Sequence, residues 1–413
     1  MPDLIKLSDL TTDSILSTLE ARHKEGIVYT YVADIVLSVN PFAYGCAPSG
    51  KEACERYKGI NAGGRKDSEL PHVYALMDKA YASLKKTGGR AQSVLISGES
   101  GAGKTETTKV CLEFLRHVAS ESSGGGSADV AAFMKANPII EAIGNAKTVR
   151  NDNSSRFGKH LDVQLDEVKG NILGAKTQAY LLEKPRVCQH LPGERNYHVL
   201  YMMLHLSNPH VCPSADDAPK PALPFTEWDE YKILSQEGTE GTVKGWVDYE
   251  EMQYMHKTLP EIGFDAESRR PALYKLYAFA LVLGNVEFPE FDGDALQPTA
   301  KTAPLLAVAA EYAGVQYEKL LKALTHKMLR KNEVPRDPVL AVRSLVMYVY
   351  GLAFEWVIER INDTFGYAGP QKVKLCGILD VFGFENFDGE FGINSHPQVR
   401  ERRARMLRRP HIK

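Results

Sequence analysis

Cysteine is scarce in this chain: six residues in 413, at Cys46, Cys54, Cys111, Cys188, Cys212 and Cys376. No two stand in a CxxC spacing, so a zinc ribbon or a disulfide framework is not expected; they read as reduced thiols of an intracellular protein. Neither sign of charge prevails, with 50 Lys+Arg against 52 Asp+Glu, so no global field steers the chain to nucleic acid or membrane. The start, Met1-Pro2-Asp3-Leu4-Ile5-Lys6, lacks a basic stretch followed by an apolar run; no signal peptide is expected. The longest apolar stretch, near Leu345 to Ile358, contains Glu355 and is too short to span a bilayer, so it predicts a buried helix and no transmembrane segment. There is no internal repeat. A composition 44% hydrophobic and 25% charged leaves a globular chain of one large domain or two to three ordinary ones.

Hydrophobic periodicity and breakers give the elements. Ser14 to His23 reads as a helix capped by Asp13, and Ile27 to Val39 as one strand ending at Asn40-Pro41. Pro71 to Leu84 carries Val73, Leu76, Met77, Ala80 and Leu84 on one helical face. Gln92 to Ser97 predicts a strand, and Lys104 to Val118 and Asp129 to Ile143 predict helices. Ser120 to Ser127 reads as a flexible loop. His160 to Leu165 and Asn171 to Leu182 predict a hairpin. Helices follow at Asn196 to Leu206, Pro271 to Leu283, Pro304 to Ala313 and Val339 to Asn362. Val373 to Leu379 is an apolar strand closed by Asp380.

Three segments carry chemistry. Gly98-Glu99-Ser100-Gly101-Ala102-Gly103-Lys104-Thr105 fits G-x-x-x-x-G-K-[ST] at every fixed position, between a predicted strand and a predicted helix. Its glycines let backbone N–H groups converge on an anion, and the helix N-terminus adds partial positive charge. Lys104 reaches β- and γ-phosphates in such a loop, and the Thr105 hydroxyl coordinates Mg²⁺. Asp380, at the end of an apolar strand, suits a Mg²⁺ ligand, direct or through water; without the phosphate loop it would read as a solvated turn. Asn151-Asp152-Asn153-Ser154-Ser155-Arg156-Phe157-Gly158 is dense in small polar donors. Alone it is an ordinary Asn/Ser-rich turn; beside the other two it offers hydroxyls to position water and a second Mg²⁺ ligand.

In this order the segments, with Leu379-Asp380-Val381-Phe382-Gly383-Phe384-Glu385, resemble the phosphate loop and two switches of the myosin motor head. The likeness extends to Glu141 through Arg150, to Tyr180-Leu181-Leu182-Glu183-Lys184, to Gly193 through His198, to Val28 through Tyr31 with Asn40-Pro41-Phe42, and to Leu283 through Phe288. It covers about residues 4 to 388. The resemblance implies an α/β fold, a P-loop NTPase of the myosin/kinesin type, with a mixed central sheet flanked by helices and incomplete on its C-terminal side. It implies an actin-based cytoskeletal motor that binds ATP and Mg²⁺ and hydrolyses the nucleotide, located in the cytoplasm on the cytoskeleton. Gly98, Glu99, Ser100, Gly101, Ala102, Gly103, Lys104 and Thr105 would wrap the phosphates. Thr105, Ser155 and Asp380 would serve the metal, and Asn151 and Ser154 would meet the terminal phosphate and the attacking water. The Gly383 N–H would contact the γ-phosphate, and Arg156 and Glu385 would form the ion pair that closes the switches. Asn40-Pro41 would lie in the adenine pocket, where the family's Tyr eight residues after the Asn is replaced by Pro48, with Tyr44 closer.

Other departures concern the partners. Thr325 to Pro338, with Lys327, Arg330, Lys331 and Arg336, stands where the family contacts actin, by the resemblance, and is several residues short of it. After Asp388 the family's relay helix, lower actin-binding subdomain, a central-sheet strand, converter and lever are not found. Weakened actin binding, no light-chain site and an unpaired edge beside the phosphate-loop strand are expected. Residues 1–388 thus read as the N-terminal part of a motor domain, and 389–413 as a non-family tail, expected to be disordered. Arg400, Arg402, Arg403, Arg405, Arg408, Arg409 and Lys413 crowd that tail. It reads as a nucleic-acid or anionic-membrane patch, a solvated, disordered charge run or, as favoured, sequence read past a misassigned splice site or out of frame. The alternative function is a truncated nucleotide-binding head without force generation; an unrelated kinesin-like motor or nucleotide kinase is a third reading.

Overall fold

A computed structural model describes residues 3–43, 45–61, 71–86, 88–121, 130–211, 220–294, 296–330 and 332–382. Gly383, Glu385, the 389–413 tail, Tyr44, Lys331, Cys212 and most of the Ser120–Ser127 loop lie outside these. The helices are α1 (Thr12–Lys24), α2 (Gly50–Tyr57), α3 (Val73–Lys85), α4 (Lys104–Glu121), α5 (Val130–Gly144), α6 (His198–Met202), α7 (Asp248–Thr258), α8 (Arg269–Gly284), α9 (Ala303–Tyr312), α10 (Tyr317–Thr325) and α11 (Pro338–Phe365). The strands are β1 (Tyr29–Val32), β2 (Ile35–Ser38), β3 (Gln92–Gly98), β4 (Asn145–Ala146), β5 (Ser154–Ser155), β6 (Gly158–Asp166), β7 (Ile172–Tyr180), β8 (His326–Leu329), β9 (Asn332–Pro335) and β10 (Val373–Phe382).

Two local expectations are corrected near the N-terminus. Thr11, not Asp13, caps α1: its side chain accepts from the Ser14 N–H, while Asp13 sits in the first turn, where its charge meets the helix dipole. The stretch 27–39 is a hairpin, β1 against β2, rather than one strand. The turn falls at Ala33, in the left-handed region at φ 55°, and the Asp3 carboxylate accepts from the Ala33 N–H at 3.1 Å. A side-chain acceptor on a distant segment thus fixes the turn, at which Asp34 is the local signal.

The central sheet has the order β3-β10-β6-β7. β3 and β10 are parallel, and β6 runs antiparallel to both β10 and β7. Mixed polarity follows from the connections: β6 and β7 form a hairpin, whereas β3 and β10 are separated by most of the chain. On one face Val94, Ile96, Leu161, Val163, Cys376 and Ile378 are buried in the core shared with α3 and α4. On the other, Leu95 is 64% exposed. β10 does not stop at Asp380: it continues to Phe382, with Val381 opposite Ser97 and Phe382 opposite Gly98. The two sheet edges are treated differently. Asn362 of α11 covers β7, donating to the Thr177 carbonyl at 2.8 Å and accepting from the Thr177 N–H at 2.7 Å. β3 pairs with β10 alone among the described residues, so its outer edge carries no ladder there.

The rest of the body is helical. α11, with 28 residues, is long and apolar enough to cross a membrane by length and composition, and half of its most apolar window is buried inside the protein. It carries Arg343, Glu355, Glu359 and Arg360 and packs Val346, Tyr350, Phe354, Val357 and Ile361 into the core. That alternation is what a core helix presents. The Thr325 to Pro338 stretch forms a short hairpin, β8 against β9, rather than a plain loop; Met328 and Leu329 are exposed on it.

Candidate nucleotide-binding site

The turn from β3 into α4 is shaped by its glycines. Gly101 and Gly103 adopt φ of 83° and 89°, a region closed to most L-residues. A side chain on Gly98 would come within 3.1 Å of the Ala102 Cβ. The loop also has a brace that motif reading assigned elsewhere: Asn40 donates to the Gly101 carbonyl at 2.7 Å and accepts from the Phe42 N–H at 2.9 Å. Asn40 therefore fixes the phosphate loop directly, with Pro41 following it. The Lys104 ammonium lies across the loop, donating to the Gly98 and Glu99 carbonyls at 2.9 and 2.8 Å.

The second segment is folded back against this loop by a two-stranded ladder. β4 pairs with β5, placing Asn145 opposite Ser155 and Ala146 opposite Ser154. Asn151 shapes the approach: its side chain accepts from the Asn153 N–H at 3.0 Å, and its backbone closes a turn with Thr148. The buried Ser154 hydroxyl lies 2.8 Å from the Ser100 hydroxyl of the phosphate loop. Arg150 stands 3.8 Å from Glu99, a second link between the segments.

The third segment arrives on β10. The Thr105 hydroxyl donates to Asp380 Oδ2 at 3.3 Å. Burial pushes the Asp380 carboxyl up, against the pull of Lys104 and Lys159 and the Thr105 hydrogen bond. Lys159, opposite Asp380 on β6, was not singled out in the sequence; its ammonium donates to Asn137 at 2.7 Å, and burial lowers its pKa while Glu141 and Asp380 raise it. No group of three or more His, Cys, Asp or Glu side chains that could hold a metal occurs among the described residues. The donor set here, one carboxylate and small hydroxyls, instead suits Mg²⁺, which keeps several waters and shares phosphate oxygens.

Arg156 has a carboxylate partner that the sequence did not single out. The expected partner Glu385 lies outside the described residues; among those described, Arg156 meets Glu183, with Nε donating to Oε2 at 2.6 Å. Its Nη1 donates to the Ser154 hydroxyl at 3.2 Å. Glu183 Oε2 also accepts from Arg186 Nε at 2.9 Å, and Arg186 Nη2 donates to Glu194 at 2.8 Å. Burial pushes the Glu183 carboxyl up, but Arg186 and Arg156 outweigh it and hold the group at about 2. The Tyr180–Lys184 run was legible as a likeness; nothing in its residues said which charge Glu183 would meet.

A glycine-shaped anion loop between a strand and a helix, a hydroxyl-bearing segment folded onto it and a carboxylate on the neighbouring strand define a P-loop nucleotide-binding protein. Comparison with known families narrows this: the model for "Myosin head (motor domain)" matches residues 1–399. The chain is 35% identical over 399 residues to Myosin-1 of Arabidopsis thaliana, covering 94% of this chain and 32% of that protein. It is 35% identical over 397 residues to Unconventional myosin-Ia of Gallus gallus, covering 93% and 36%. Against Unconventional myosin-Ia of Rattus norvegicus it is 34% identical over 392 residues, covering 93% and 44%. The chain belongs to the myosin head family, and it spans 32% to 44% of the length of these three relatives.

Proposed function

We propose that this chain supplies the nucleotide site of an ATP-hydrolysing, actin-based motor of the cytoplasmic cytoskeleton. What supports the reading is the convergence of three segments on one loop: Ser154 meets Ser100, and Asp380 meets Thr105. In this reading Gly98 to Thr105 wraps the phosphates, with Lys104 reaching the β- and γ-groups. Thr105, Ser155 and Asp380 would hold Mg²⁺, which when bound neutralises charge developing on the transferred phosphoryl group. Asn151 and Ser154 orient the attacking water and terminal phosphate, with the Gly383 N–H and Glu385 completing the constellation. Asn40 braces the loop and, with Pro41, borders the base. The exposed β8–β9 hairpin is the actin-facing element.

The second reading is a head that holds nucleotide without generating force, favoured by the unladdered outer edge of β3. Co-sedimentation with actin filaments separates the two. The motor reading expects the chain to pellet with actin and to leave on adding Mg·ATP, and Lys104→Ala to remain bound. Release that ignores ATP, or no pelleting at all, favours the passive head.

A further inference from the structure

Glu183 stands in the middle of a line of paired side chains that starts at Glu194 and reaches the phosphate loop at Ser100. Glu194 pairs with Arg186, Arg186 with Glu183, and Glu183 with Arg156. Arg156 then donates to Ser154, whose hydroxyl meets Ser100. Arg186 has a second buried carboxylate in Glu194, so Glu183 is shared between Arg186 and Arg156. Glu183 is also held through its backbone. Its N–H donates to the Arg156 carbonyl at 2.9 Å, and its own carbonyl accepts from the buried Tyr197 hydroxyl at 2.9 Å. A carboxylate fixed at both backbone ends and accepting at Arg156 Nε sets the plane of that guanidinium. Arginine is a planar donor with no acceptor, so fixing Nε aims Nη1, and Nη1 meets the Ser154 oxygen. That oxygen then accepts, leaving the hydroxyl proton of Ser154 to be given to a neighbouring oxygen.

We propose that Glu183 is a positioning residue for nucleotide hydrolysis: it orients Arg156, and through Arg156 the Ser154 hydroxyl, at the phosphate loop. This rests on the reading of the site as an ATPase. A residue that acts only by aligning a group in the reacting state changes turnover more than ground-state affinity. Two residues acting as one unit show non-additive losses.

The test compares wild type, Glu183→Gln, Glu183→Asp, Arg156→Lys and the Glu183→Gln/Arg156→Lys double variant. Affinity is read by titration with a fluorescent ATP analogue and Mg²⁺, turnover by single-turnover ATP cleavage, and folding by thermal melting. Glu183→Gln is expected to keep affinity within about 3-fold and slow cleavage by roughly 10- to 100-fold. Glu183→Asp should recover part of the rate, and the double variant should be no slower than Arg156→Lys alone. If Glu183→Gln does not fold, Glu183→Asp carries the test, with slowed cleavage at retained affinity expected. The role is overturned if the folded variant cleaves at the wild-type rate, if the two single losses multiply in the double variant, or if affinity and melting temperature fall in step with the rate. A wild type that neither binds nor cleaves Mg·ATP sinks the ATPase reading and the positioning role with it; that result appears before any variant is compared.

Discussion

His72 shows how one residue's environment sets a measurable response. Its ring is buried among Tyr29, Tyr57 and Tyr74, with centroids 4.7, 5.0 and 4.2 Å away. Nδ1 accepts from the Tyr74 N–H at 3.1 Å and caps α3, and Nε2 meets the Pro48 carbonyl at 2.9 Å. A carbonyl only accepts, so Nε2 carries the proton and Nδ1 does not: the fold selects the neutral ring. Burial lowers its pKa to about 4, against the Pro48 contact and Glu113. His190 is likewise lowered to about 4, by burial and then by Arg186. With folded values below the unfolded one near 6.5, both contribute stability that is complete above about pH 6.5 and is lost as pH falls toward 4. Urea unfolding at stepped pH should show stability declining across that window, by about 1.4 kcal/mol per pH unit for each proton taken up. A flat profile contradicts the assignment.

Two further outcomes belong to single residues. Arg195 is fully buried, donates to Asp248 at 2.7 Å and lies 3.7 Å over the Tyr201 ring. Asp248→Ala leaves that cation without its carboxylate and should cost roughly 3–5 kcal/mol in urea unfolding. In the site, Lys104→Ala is expected to abolish Mg·ATP binding, whereas Glu385→Ala should spare binding and block hydrolysis. Equal loss of binding in both variants, by fluorescent-nucleotide titration, contradicts the roles given to them. The phosphate loop was legible because its function needs fixed residue types at fixed spacing. The Asn40 brace and the Glu183 partnership were not, since each joins groups separated in the chain, and local pattern holds no record of such contacts.

At the scale of elements, periodicity located the long helices and the β6–β7 hairpin, because their burial repeats within a few residues. It failed at 27–39, where a β-branched, largely apolar run read as one strand although Asp34 marks the turn that Asp3 holds. It also gave no hint that α11 finishes a sheet. The Asn362 amide takes the place of a backbone unit beside β7, satisfying both groups of Thr177. Asn362→Ala leaves an N–H and a C=O without these partners and is expected to cost about 1–3 kcal/mol. Amide hydrogen exchange should quicken at Thr177 in this variant; unchanged protection there would show that the helix contact is dispensable.

For the whole molecule the decisive feature is the asymmetry of the sheet. One outer strand is covered by α11, while β3 has a single neighbour among the described residues and exposes Leu95 on the face away from α3 and α4. Unladdered edges with apolar neighbours invite pairing with other chains. Sedimentation velocity at micromolar concentration should therefore detect self-association, reduced by Leu95→Lys. A wild type that stays monomeric throughout the range counts against an accessible edge.

The sequence by itself determined the family, the phosphate loop, the order of the three nucleotide segments and most of the helices. Those depend on residue type at short spacing. Tertiary structure alone decided that Glu183 is a carboxylate partner of Arg156, that Asn40 braces the loop, and that one sheet edge is sealed by a helix while the other is bare among the described residues. These are contacts between segments tens to hundreds of residues apart. Their geometry is set by how the layers pack, and spacing along the chain carries no measure of that.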